Sequence, residues 1–76
     1  MKVDSATRAK LIEIGETIRK ARQRRGVSQA ALAAEIGMYR ENYIRVEKGR
    51  VNLTIETIMR IAAGLDAELT VTLKSR

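Results

Sequence analysis

The stretch Ser28-Gln-Ala-Ala-Leu-Ala-Ala-Glu-Ile-Gly-Met-Tyr-Arg-Glu-Asn-Tyr-Ile-Arg-Val-Glu-Lys-Gly49 decides how this chain is read. Its apolar residues form two short helical patterns on either side of Gly37. Ser28 is the N-cap of the first, which carries Ala31, Leu32 and Ile36 before the glycine stops it. The second runs from about Tyr39 to Lys48, sets Tyr43 and Val46 on one side, and ends at Gly49. Ala33 is small where the two helices cross closely, and Gly37 supplies a turn residue without Cβ. Leu32, Ile36, Met38, Tyr43 and Val46 fill the small core between them. Tyr43 brings a hydroxyl into that core, which must find water or a partner. Arg40, Glu41, Asn42, Ile44, Arg45 and Lys48 are left facing outward.

Upstream, Leu11, Ile14, Ile18 and Ala21 line one face of a helix predicted from about Thr7 to Arg24, stopped by Arg24-Arg25-Gly26. Downstream, Thr54 caps a fourth helix, with Ile55, Ile58, Met59 and Ala62 predicted inward and Gly64 as its stop. The periodicity then changes. Residues 68–74 alternate, with Leu69, Val71 and Leu73 on one face and Thr70, Thr72 and Lys74 on the other, the pattern of a strand. No other segment reads as a strand, so this one needs a partner from outside. The simplest is its own copy across a two-fold axis; the alternative is a loosely packed tail.

A chain of 76 residues makes one domain, with its core over 7–65. It buries only about 60–65% of its unfolded surface. There is no His and no Cys, so no zinc site of the usual ligands, no thiol nucleophile and no disulfide is expected, and neither is a cofactor. Dimerisation is the staple that remains. Asp4, Glu13, Glu16, Tyr39 and Lys48 show no catalytic spacing, so an enzyme is not expected. The N-terminus lacks the apolar core of a signal peptide and no apolar run approaches 18 residues, which predicts a cytoplasmic protein. Charge is concentrated rather than spread. Of the formal net charge of +6, all lies between Arg19 and Arg50, where nine cations meet three anions, while both ends are neutral. A one-signed central block with neutral ends suits a polyanion partner better than a merely solvated helix face.

The two helices about Gly37 have the spacing of a helix-turn-helix. Together with Ile14-Gly15-Glu16-Thr17-Ile18-Arg19 and Arg22, Gly26-Val27-Ser28-Gln29, Arg45-Val46-Glu47-Lys48-Gly49 and Leu53-Thr54-Ile55-Glu56-Thr57-Ile58, they form an ordered set that resembles the Xre/Cro-type, lambda-repressor-like DNA-binding family over roughly Ile14 to Leu65. The resemblance implies a mainly α domain of four to five helices, a homodimer, a double-stranded DNA partner with a roughly palindromic operator, and a role as transcriptional repressor in the nucleoid-associated cytoplasm. It also implies an ion pair between Arg22 and Glu47 that ties the first helix to the recognition helix, with Arg22 held toward a phosphate.

By the same resemblance, Tyr39, Arg40, Glu41, Ile44 and Arg45 occupy base-reading positions, and Ser28, Gln29 and Asn42 fall beside phosphates. Their chemistry is compatible with those places. Arg40 or Arg45 can bind guanine O6/N7, Glu41 can accept from cytosine N4, and Ile44 can lie on a thymine methyl. Equally, both arginines can touch phosphate alone, and Glu41 can serve only to neutralise a neighbouring arginine. Lys48, Arg50 and Asn52, after the recognition helix, suit phosphates. Tyr39 stands where the family often has Ser or Thr, which removes a helix cap. The terminal Leu69-Thr70-Val71-Thr72-Leu73 is similar to the dimer strand of HipB-type antitoxins, which implies a second possibility: an antitoxin that binds a cognate protein toxin and represses its own operon. Only Ser75 and Arg76 follow Lys74, so a toxin contact is expected on the folded domain or residues 1–10.

Overall fold

The computed structural model describes residues 3–76 and contains four helices: α1 (Ser5–Arg25), α2 (Gln29–Glu35), α3 (Arg40–Glu47) and α4 (Ile55–Gly64). Helix α1 begins before Thr7 because the Asp4 side chain accepts a hydrogen bond from the Thr7 backbone N–H at 2.7 Å. It ends at Gly26, whose N–H reaches the carbonyls of Arg22 and Gln23. Ser28 Oγ accepts from Ala31 N–H at the start of α2, and Thr54 Oγ1 accepts from Thr57 N–H at the start of α4. Tyr39 leads into α3 without any side-chain cap.

The core gathers Ile18, Leu32, Ala33, Ile36, Tyr43, Val46 and Ile61, with Ile14, Val27, Met38, Val51, Leu53 and Leu65 packed against it. Ala31, counted in the apolar pattern of α2, is exposed. Helix α4 is turned relative to the expectation. Ile61 is its buried centre, whereas Ile55 and Met59, expected inward, are 57% and 58% exposed. Glu56, Thr57 and Arg60 share one side of this helix, but the apolar arc opposite them is wider than the strip the core covers, so periodicity does not fix which part of that arc is buried.

Helix α1 crosses the end of α3 at very close range. A Cβ on Gly15 would stand 2.5 Å from the carbonyl oxygens of Val46 and Glu47, so only glycine allows the two backbones to touch there. The next contact repeats the device. Gly49, at φ 67°, presses on the backbone of Ile12, and its carbonyl accepts from Arg8 Nη1 at 2.7 Å. Helix α1 therefore fixes both the end of α3 and the loop that follows.

The strand expected over 68–74 does not form in the single chain. Among the described residues there is no strand, and Leu69 is half-buried while Val71 and Leu73 are exposed. The physical reason is that no second extended segment offers this one a hydrogen-bonding edge. Residues 1 and 2, part of the segment expected to be free for a protein partner, lie outside the described residues. No helix among the described residues is long and apolar enough to cross a membrane.

Candidate nucleic-acid interface

Burial divides α3 along its length. Tyr43, Val46 and Glu47 are buried, which places Glu41, Arg45 and Lys48 at the middle of the opposite side, since each residue turns the helix by about 100°. Ile44 is half-buried beside them, and Arg40 and Asn42 stand exposed at the flanks. Tyr39, just before the helix, is 79% exposed, and Arg50 and Asn52 are exposed in the loop after it. The outward face of α3 and its two ends thus carry every residue proposed from the sequence for base reading, together with Asn42, Lys48, Arg50 and Asn52.

The pairing of charges leaves this face positive. Arg19 pairs with Glu16, Arg25 with Glu35, and Arg22 with Glu47. Arg40, Arg45, Lys48 and Arg50 have no ion-pair partner among the described residues. Glu35 and Glu47, two of the three carboxylates of the central block, are thus spent on arginines of α1, and Glu41 alone remains beside four cations. It stands one turn before Arg45 without pairing with it.

Behind this face lies a buried carboxylate. Glu47 is reached from three helices: Arg22 of α1 donates through Nε at 2.6 Å to Oε2 and through Nη2 at 3.2 Å to Oε1, Gln29 of α2 donates through Nε2 at 3.0 Å to Oε1, and the Tyr43 hydroxyl of α3 donates at 2.6 Å to Oε2. A carboxylate offers about four lone-pair sites, and here four donors meet it. Arg22 also donates through Nη1 to the Val27 carbonyl at 2.9 Å. Burial alone would raise the Glu47 carboxyl, but the hydrogen bonds from Arg22, Tyr43 and Gln29 outweigh it and hold the group below the usual carboxylate range. The hydrogen bond to Glu47 raises Arg22, against the opposing effect of burial. Burial, then the bond to Glu47, pushes the Tyr43 hydroxyl up, so it remains a donor.

Two sequence-proposed phosphate contacts have internal bonds in the structure. Ser28 Oγ caps α2, and Gln29 turns its amide nitrogen onto Glu47, keeping one N–H and its carbonyl free of protein partners. Sequence reasoning did not pair Gln29 or Tyr43 with Glu47. For Tyr43 a signal existed, a tyrosine in the core with a glutamate one helical turn later; for Gln29 none did, because its partner lies 18 residues away.

Four helices, a glycine turn between α2 and α3, and a cationic outward face on α3 define a helix-turn-helix DNA-binding domain. A helix-turn-helix family model matches residues 18–71, and the chain belongs to that family, in its Xre/Cro-like form. Among solved structures, the chain is similar to the restriction-modification controller protein C.AhdI from Aeromonas hydrophila, with 34% sequence identity and a TM-score of 0.77 over 80% of this chain and 88% of that one. No curated protein matches by sequence. Fold and family are those of a DNA-binding transcriptional regulator and not of an enzyme.

Proposed function

We propose that the chain represses transcription as a homodimer, each α3 reading one half of a roughly palindromic operator. The observation that carries this is the surface made by the outward face of α3, its flank and the loop after it, where Arg40, Arg45, Lys48 and Arg50 stand exposed without ion-pair partners among the described residues. Such a face lowers its electrostatic energy against phosphates and presents guanidinium forks to base edges. Arg40 and Arg45 are the base readers in this reading, with Tyr39, Glu41 and Ile44 beside them; Lys48, Arg50, Asn42 and Asn52 meet phosphates. Ser28, Gln29 and Arg22 complete the phosphate contacts in this reading. The uncovered apolar residues Ile55, Met59, Val71 and Leu73 support the homodimer, because a protein this small gains from covering them. The likeness to a restriction-modification controller protein supports a regulatory role.

Selection of bound duplexes from a random pool tests this. The wild type should return a two-fold symmetric consensus with half-site centres about 34 Å, one helical turn, apart. Arg45→Ala and Arg40→Ala should each weaken binding by about 1–3 kcal/mol and relax the consensus at one position per half-site. An unchanged consensus for both variants would remove base reading from these arginines.

A further inference from the structure

We propose that Tyr43 is a positioning residue for DNA binding, acting through Glu47 to hold the Gln29 carboxamide at the edge of the recognition surface. The inference rests on the DNA-binding reading above and adds to it a residue that is itself 0% exposed and cannot touch DNA. Its basis is the way four donors divide the Glu47 carboxylate. Arg22 lies side-on and takes one lone pair of each oxygen. Each oxygen then has one site left: Oε2 fills it with the Tyr43 hydroxyl and Oε1 with Gln29 Nε2.

Tyr43 and Glu47 share a helix, one turn apart, so their bond fixes the carboxylate relative to α3 itself. Arg22 and Gln29 arrive from other helices and take their orientation from it. Removing the hydroxyl leaves Oε2 with the guanidinium alone. The carboxylate then turns toward Arg22 and releases Oε1 from Gln29, whose side chain returns to solvent with many rotamers. With one N–H committed to Glu47 the carboxamide nitrogen is held in place, and its second N–H is a fixed donor, which is what a phosphate contact from α2 requires. The ring of Tyr43 fills the core equally well as phenylalanine, so the hydroxyl can be removed without opening a cavity of ring size.

The test compares wild type, Tyr43→Phe, Gln29→Ala, the double variant and Arg45→Ala, with folding checked by circular dichroism. In the free wild-type protein, NMR should show the Gln29 side-chain NH2 pair well separated and slow to exchange. In Tyr43→Phe it should move to the values of a free amide. Toward a duplex carrying the selected consensus, Tyr43→Phe should bind about fivefold more weakly, the equivalent of one neutral hydrogen bond. In the Gln29→Ala background the same change should cost less than about twofold, whereas with Arg45→Ala its effect should persist in full. A residue that served stability alone would shift the melting temperature and couple to neither. Free-amide values for Gln29 in the wild type overturn the proposal even if Tyr43→Phe fails to fold. Unchanged Gln29 signals in Tyr43→Phe, or additive losses with Gln29→Ala, overturn it as well. Failure of the wild type to prefer any duplex would instead sink the DNA reading, while the Gln29 signals still decide whether Tyr43 holds that side chain.

Discussion

Where α1, α2 and α3 meet, the chain buries a carboxylate and surrounds it with donors; on α4, Ile55 and Met59 stand more than half exposed, with Val71 and Leu73 of the tail barer still. The first region is complete within one chain. Its polar groups are matched, its backbones touch through Gly15 and Gly49, and the charge it leaves over points outward from α3. The second region is unfinished, since it exposes apolar surface and a tail without hydrogen-bonding partners. One side needs an anion and the other needs apolar cover, which is how the DNA face and the dimer surface proposed above can share so short a chain.

The largest expected effect falls on the complete side. Arg22→Ala leaves Glu47 buried without its guanidinium and should cost about 3–5 kcal/mol in urea unfolding, a large share of the total stability of a small domain. Replacing the whole set, with Arg22→Met, Glu47→Leu and Tyr43→Phe, should recover much of that loss, because neither an uncompensated charge nor an unpaired hydroxyl stays buried. Acid provides a second reading of the same group. The folded Glu47 carboxyl lies below its ordinary value of 4.5, so its contribution is fully present above that pH and is lost as pH falls through the lower folded value. Stability that stays flat through this window in wild type and Glu47→Gln alike would show that the bonds around the carboxylate add nothing net.

Next in size is Gly15→Ala. The new methyl would stand 2.5 Å from two carbonyl oxygens of α3, which are backbone atoms and cannot turn aside. Helix α1 must shift, at a cost of about 1–3 kcal/mol, and Glu47 must move relative to Arg22. Full stability in this variant would mean that the close crossing is not what couples the two helices.

These two sites show where the sequence was legible. Helix ends were readable because Ser28, Thr54, Gly26, Gly37 and Gly49 act through their own local chemistry. The outward set on α3 was readable because Tyr43 and Val46 fix its phase, and the family resemblance supplied Arg22 and Glu47. The phase of α4 was legible only in part, since Glu56, Thr57 and Arg60 mark its polar side while the apolar arc is wider than the core contact, and only Ile61 against the core decides within it. The partner of Gln29 was hidden for a different reason: a hydrogen bond between α2 and α3 depends on how the two helices approach, which no local pattern along the chain records. The tail alternates as a strand would, but a strand needs an edge, and one chain does not provide it.

On the unfinished side the expected effect is on association. Met59→Asp places a charge on the exposed face of α4 and should change the stability of the monomer by no more than about 0.5 kcal/mol. It should raise the dimer dissociation constant measured by sedimentation about tenfold or more, as loss of a central apolar contact does. A variant that unfolds but still associates would reverse the comparison and make this face part of the core.

The smallest effect should come from Asp66, which closes α4. Its N–H meets the Ala63 carbonyl at 3.2 Å and the Ala67 N–H meets that of Ala62 at 2.8 Å, the paired bonds of a Schellman ending. That ending requires a left-handed residue, and Asp66 holds φ 53°, alone among the described non-glycine residues in having a positive φ. A Cβ in this conformation is strained, and the carboxylate also sits at the negative end of the helix. Against this, glycine gives the unfolded chain more freedom to lose. The strain and the dipole together are the larger, so Asp66→Gly should stabilise by about 0.5 kcal/mol, seen as a higher urea midpoint with an unchanged slope. Asp66→Asn tolerates the same backbone and removes only the charge, so it should recover the dipole part alone. If glycine lowers the midpoint while asparagine leaves it unchanged, the end of α4 is held by its surroundings and the tail after it is set by contacts other than this cap.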